Sequence, residues 1–140
     1  MQTEDLLISI RPLYFQAIIE ERKRYELRKV EIVTARTDRI FIYVTRPVGR
    51  IAGSFKAGSV IEGNPRSLWK RVGGESGVDR ETFFSYFKDR EMGFAIEMTA
   101  LVIFKSPIDP WGRIRDFKPP QSHVRLVPSM KCDLGLDTAR

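Results

Sequence analysis

Hydrophobic and polar residues alternate at the start of the chain. In LLISIR, Leu6, Ile8 and Ile10 fall on one side of an extended segment and Leu7, Ser9 and Arg11 on the other, the period of a strand. Pro12 then suits the first position of a helix, where no backbone N–H is required. Tyr14, Phe15, Ile18 and Ile19 follow at helical spacing, with Ala17 beside them, and predict a helix ending near Arg22. In RYELRK the period returns to two. Tyr25 and Leu27 take the core side, so Arg24, Glu26 and Arg28 share the opposite one, with Lys23 at the entry.

The pattern continues as short alternating elements. RIFIYVT is apolar on both sides, as in a strand covered on both faces, and is followed by Pro47 and Gly49. GRIAGSFKAGSVIEG reads as a strand or a bent strand pair, with Gly53 and Gly58 allowing a bulge or a close backbone approach. Two short helices follow: NPRSLWKRV, with Asn64 as cap and Pro65 first, and DRETFFSYFKD, capped by Asp79 with Phe83, Phe84 and Phe87 turned inward. GGESG is the turn between them. MGFAIEMTALVIF returns to strand, and the prolines after Lys105 predict an extended wrapping segment with a last short strand near Val124 to Val127. The sum is an α+β fold with short helices inserted between strands, a single domain over 1–128, and a polar tail over 129–140 that is expected to be flexible.

Composition narrows the class. A chain of 140 residues with 42% hydrophobic residues can bury one sizeable core. The net charge of +6 favours polyanionic partners. Basic residues outnumber acidic ones ten to seven in 1–50 and seven to four in 101–140 but only match them, seven to seven, in 51–100; if the two ends meet, they form a basic patch. Cys132 is the sole cysteine, which excludes an intramolecular disulfide or a thiolate metal cluster and suits a reducing cytoplasm. The acidic MQTEDLLISI is unlike a signal peptide, and no apolar run approaches the roughly 18 residues of a membrane span.

The ordered segments SIRPLYFQAIIEERKRYELRK, FIYVTRPVGRIAGSF, WKRVGGESGVDRETFFSYF, GFAIEM and PPQS resemble the ASCH domain family, a branch of the PUA-like superfamily, over nearly all of 6–127. That family carries a motif Gly-x-Lys-x-x-Glu-x-Arg directly after its first helix. Lys23, Glu26 and Arg28 stand at its charged positions, and Glu21 stands where the glycine belongs. The resemblance implies a small PUA-like β-barrel of about five or six strands, with a cleft that binds RNA or modified nucleotides, in regulation of transcription or translation or in recognition of a modified base. Some members are similar to small amidohydrolases that deacylate cytidine with a lysine, a threonine and a glutamate. Lys23 matches the lysine, Glu26 replaces the threonine, and Glu75 in GGESG is the nearest match to the glutamate. The replacement weakens the amidohydrolase assignment.

The residue chemistry leaves distinct roles open. Lys23 is a base if burial lowers its pKa, or a charged anchor if Glu26 holds its proton. Arg28 can grip a phosphate or base edge in the plane of its fork, and Glu26 can accept from an exocyclic amine. Ser9, Arg11 and Arg24 extend the polar faces around them. Tyr43, near Arg46, is either a base-stacking platform or, like Phe41, a core residue. Gln121 and Ser122 either contact a ligand at the cleft mouth or cap the closing segment. An exposed, salt-bridged strand edge worth only ~0–1 kcal/mol per pair is the plainer alternative for Lys23, Glu26 and Arg28. Trp69 and the three phenylalanines are expected in the core, and His123, without a partner, is neither metal ligand nor catalyst. The expected ligand is RNA, another single-stranded nucleic acid or a nucleotide-like molecule, with no cofactor, metal or membrane. The alternative is a hydrolase of nucleoside or nucleic-acid substrates, amidohydrolase-like or ribonuclease-like, using Lys23, Glu26 and Glu75. A protein adaptor would need an exposed apolar patch, for which the sequence has no distinct signal.

Overall fold

A computed structural model describes residues 2–137. In chain order the elements are β1 (Glu4–Ile10), α1 (Pro12–Ile19), β2 (Tyr25–Arg28), β3 (Thr37–Val44), β4 (Arg50–Gly63), α2 (Pro65–Val72), α3 (Arg80–Tyr86), β5 (Gly93–Ile108), β6 (His123–Leu126) and α4 (Pro128–Leu134). The strands form one mixed sheet in the order β2-β5-β4-β3-β1-β6. β1 and β3 run parallel, joined by a crossover through α1 and β2, and the other neighbours are antiparallel. The fold is therefore α+β. No ladder joins the edge strands β2 and β6 among the described residues, so the hydrogen-bonded sheet is open.

The alternation in β1 and β3 sorts side chains into two cores. Leu6, Ile8 and Ile10 pack with Ile40, Ile42 and Val44 beneath Ile18 of α1. Leu7, Phe41 and Tyr43 face the other way, against Ile51, Phe104, Phe117 and Leu126. Coverage on both faces explains the unbroken apolar run in β3. A third core lies at the β2 edge, where Leu68, Val72, Phe83 and Phe87 of the α2–α3 pair pack on Leu27 and Ala95. The helix caps are as the sequence implies: Asn64 accepts from Ser67 N at 2.9 Å and Asp79 from Thr82 N at 2.7 Å.

The long β4 and β5 pair with register shifts at three places, where the sheet kinks. At one of them, Gly53 is needed because a Cβ there would stand 2.6 Å from the Val102 carbonyl oxygen.

Three local expectations are corrected. α1 stops at Ile19 rather than Arg22, because Glu21 enters the left-handed region with φ 62°. β5 continues past Lys105 and through Pro107 to Ile108, which pairs with Ile51 at an irregular end of the ladder, where a missing N–H is tolerated. The segment after Pro128, read as a frayed tail, contains α4. Leu134 and Leu136 enter the second core at 0% and 3% exposure, and Lys131 Nζ is 3.1 Å from Asp5 Oδ2. Residues 138–140 lie outside the described residues.

Burial of Leu134 makes α4 part of the core. Leu134→Ala is expected to lower unfolding stability by about 3 kcal/mol, the usual cost of a truncated buried leucine. A shifted urea midpoint at unchanged slope is the expected result, whereas an unshifted midpoint would return the segment to tail status.

Candidate functional site

The turn after α1 delivers the charged stretch. Ile18 O accepts from Glu21 N, and Ala17 O accepts from both Arg22 N and Lys23 N, so the helix end is closed by backbone hydrogen bonds with Glu21 in the left-handed conformation. The ASCH motif has glycine here, and the chain retains the glycine-type conformation with a residue that is strained in it. Lys23 then bridges to Ser76, Arg24 pairs through its backbone with Glu75 and Met98, and β2 runs along β5.

Strand alternation puts Tyr25 and Leu27 against the third core and turns Glu26 and Arg28 to the opposite side. Lys23, Glu26 and Arg28 are nevertheless buried, at 4%, 7% and 7% exposure. Lys23 Nζ donates to Ser76 O at 2.8 Å and Tyr25 O at 3.0 Å, lies 3.4 Å from Glu26 Oε1, and sits 5.6 Å from the centre of the Tyr14 ring. The other Glu26 oxygen, Oε2, accepts from Arg28 Nη2 at 2.7 Å. Arg28 Nη1 donates to Ser122 O at 3.0 Å, which ties β2 to the segment entering β6. Arg28 Nε is buried, with no hydrogen-bond partner among the described residues.

Two cations around one carboxylate leave this triad with a net positive charge out of water. Burial pushes the Lys23 ammonium below its ordinary pKa; the Glu26 charge and hydrogen bond oppose that, and Arg28 adds to it. Three acceptors, Ser76 O, Tyr25 O and Glu26 Oε1, surround Nζ, which matches the three N–H groups of the ammonium. Lys23 thus clamps β2 to the α2–α3 turn.

The triad lies on the wall of a cleft of about 960 Å³, the size of a small-molecule site. Ser9, Arg11, Lys23, Glu26, Arg28, Gln121 and Ser122, all read from the sequence, meet there. Ser9 Oγ donates to Pro120 O at 2.6 Å, holding the closing segment over β1. Four sequence candidates lie elsewhere. Arg24 and Glu75 pair with each other at 3.7 Å, half exposed, and the neighbour Ser76 is what reaches Lys23. Tyr43 is 1% exposed, with Trp111 and Phe117 ring centres at 5.7 and 5.8 Å, so it is a core residue. Arg46 lies over Trp111 at 4.8 Å, away from the triad.

Sequence reasoning missed the opposite wall. Thr82, Ser85 and Tyr86 of α3, with Lys29, Arg90 and Tyr14, complete the cleft. Tyr86 Oη donates to Leu27 O at 3.1 Å, burial raises its pKa, and the Lys29 ammonium lies 4.8 Å from its ring centre. The polar side of α3 was visible as such, but nothing local distinguishes a cleft wall from a solvated face. The lining carries five cations, Arg11, Lys23, Arg28, Lys29 and Arg90, against three carboxylates, Glu26, Asp79 and Glu81. Among the described residues no three His, Cys, Asp or Glu side chains gather to hold a metal ion, and no helix is long and apolar enough to cross a membrane.

The molecule is thus an open α+β sheet with a buried Lys–Glu–Arg cluster in a cleft at its β2 edge, and known proteins share its fold. No protein-family model matches the sequence. The chain is 31% identical over 125 residues to the ASCH domain-containing ribonuclease of Zymomonas mobilis, covering 85% of this chain and 82% of that one. The crystal structure of ASCH from Zymomonas mobilis superposes with a TM-score of 0.85 at 27% identity, covering 97% of this chain and 96% of the other. A tyrosine-to-phenylalanine mutant of the same protein gives 0.85 at 26%, with 97% and 99% covered. Large ribosomal subunit protein uL22 of Ureaplasma parvum is 22% identical over 107 residues, 76% of this chain but 34% of that protein. The chain belongs to the ASCH domain family.

Two variants test the triad and the turn that presents it. Lys23→Met is expected to cost about 3 kcal/mol, because two buried carbonyls lose their donor and the Glu26 charge loses one partner. Since the folded-state pKa of Lys23 is lowered, its charge-burial penalty is complete below that lowered value. The penalty fades as pH rises from the lowered value to the unfolded value near ~10.4. The stability gap between wild type and Lys23→Met should therefore widen with alkaline pH in denaturant titrations, and a constant gap would refute the assigned shift. Glu21→Gly should raise the melting temperature, by relieving about 1 kcal/mol of backbone strain.

Proposed function

We propose that this chain binds single-stranded RNA or a nucleotide-like ligand in the cleft between β2, α3 and the Gln121–Ser122 segment. The observation that carries the reading is the buried triad with net positive charge on a cleft wall. A phosphate supplies the compensating charge, and Arg11, Lys29 and Arg90 favour the same ligand from the rim. Tyr14 and Tyr86 line the cleft and offer ring surface for an unstacked base. Glu26 has both oxygens engaged by cations, so its part is to hold Arg28 in place rather than to read a base amine. The Zymomonas mobilis relative, named a ribonuclease, supports RNA as the kind of partner. We read the open sheet as a PUA-like barrel parted between β2 and β6, with this cleft at the seam, and the whole fold as one functional domain.

A second reading, cleavage of the bound RNA, is favoured by that relative's name. In it, Arg28 and the rim cations stabilise charge developing on the phosphorus-bound oxygens. The cytidine amidohydrolase alternative loses support here. Lys23 is surrounded by acceptors, and Glu75 is turned away from the cleft lining.

Ser85 is exposed on the cleft wall, so Ser85→Trp puts a bulky side chain into the cleft at a position outside the triad. Anisotropy of a fluorescein-labelled single-stranded RNA should show wild-type binding that weakens with salt. Ser85→Trp should weaken it by roughly tenfold or more at unchanged melting temperature, an effect on the scale of one lost stacking contact. Equal binding by wild type and Ser85→Trp would remove the cleft as the site. Gel analysis of the same mixtures decides the second reading: fragments from wild type but not from Ser85→Trp establish cleavage.

A further inference from the structure

The second basic region of the chain does not lie in the cleft but adjoins it. Trp111, Ile114 and Phe117 turn into the second core, while Arg113, Arg115 and Lys118 between and after them are exposed. A tight turn at Pro110, whose carbonyl accepts from Arg113 N and Ile114 N, starts this segment. It ends where Pro120 O accepts from Ser9 and Gln121 and Ser122 enter the cleft. At its far end the Arg46 guanidinium lies over the Trp111 ring at 4.8 Å and is itself exposed. Thr45 N donates to Ile10 O at 3.0 Å, which sets the Arg46 loop beside Arg11 at the cleft rim.

None of Arg11, Arg46, Arg113, Arg115 or Lys118 has an ion-pair partner among the described residues. Two carboxylates occur on the segment. Asp109 faces Arg50 at 3.8 Å, and Asp116 is exposed. The face therefore keeps an excess of free cations, which repel one another unless a polyanion covers them. Arg46 adds a feature that bare charge does not need. Arg46 is exposed while its guanidinium lies over Trp111, and guanidinium groups stack on unpaired bases as well as pairing with phosphates.

We infer that the Arg46–Trp111 platform and the Arg113–Lys118 segment form a track that carries a single-stranded RNA onward from the cleft, so that the protein takes an extended strand rather than an isolated nucleotide. This rests on the cleft reading above, and it assigns the strand's path outside the cleft. Arg46 contacts the strand, and Trp111 is a positioning residue for it.

The test compares a 3-nucleotide and a 12-nucleotide oligouridylate, bound to wild type, to Arg46→Ser/Arg115→Ser and to Arg46→Lys over a salt series. Wild type should bind the longer strand more tightly. The double variant should lose roughly tenfold on the 12-mer and reduce its log–log salt slope by about 1.4, at about 0.7 for each single-strand phosphate contact, while binding the 3-mer unchanged. Arg46→Lys keeps the charge but not the plane, so its 12-mer affinity should fall without a change of slope. Equal affinity of wild type for both lengths, or no loss in the double variant, overturns the track and leaves the cleft standing. Polyglutamate competing as well as RNA at equal charge would also overturn it, as a face for any polyanion. Absence of binding at either length removes the cleft reading and the track together.

Discussion

Lys23 is drawn out of water at the junction of β2, the sheet and the α2–α3 turn, and the geometry of the cleft depends on how it is held there. Its ammonium joins the carbonyl of Tyr25 to that of Ser76, so one side chain sets the helical wall against the strand that carries Glu26 and Arg28. The turn is shaped to admit it: Gly77 has φ +74°, and a Cβ there would stand 2.6 Å from Lys23 Cβ. Isolated charges in such a place cost several kcal/mol each, which is why Glu26 must stand between two cations and why its removal would release Arg28 as well. Arg28 then carries the constraint to the other edge of the sheet through Ser122.

This arrangement separates the groups that hold one another from those that line the open cleft. Lys23 and Glu26 are consumed in mutual satisfaction. Arg28 shares the cleft lining with Arg11, Tyr14, Ser85, Tyr86 and Arg90. Membership in the ASCH family accords with this division, because the family motif supplies the buried triad and its presenting turn. The turn survives the loss of the motif glycine: Glu21 keeps the left-handed conformation, since three backbone hydrogen bonds to Ala17 and Ile18 over-determine it.

Two groupings that looked alike along the chain separate in space. Tyr43 and Arg46 are three residues apart, yet Tyr43 belongs to the second core and Arg46 to the surface above Trp111. Similarly, Glu75 and Ser76 are neighbours in GGESG. The glutamate side chain points to Arg24 at the surface, and the serine is completely buried beside Lys23. The family resemblance had suggested the glutamate, but Lys23 is met by a carbonyl oxygen, and every residue in the turn has one.

Alternation in β1 and β2, the proline and cap signals at Pro12, Asn64 and Asp79, and the co-facing of Glu26 and Arg28 were legible in the sequence, because each depends only on backbone period and local hydrogen bonding. The same local rules failed at α4. Leu134 and Leu136 are too few to make a periodic signal, and only the second core, assembled from β1, β3 and β5, gives them a place to be buried. They also could not show that the polar side of α3 faces the triad. Periodicity reports which side of an element is apolar and is silent about what lies opposite the polar side. That is decided by long-range pairing, here of β2 with β5 and of Lys23 with Ser76, which turned a charged strand edge into the buried wall of a cleft.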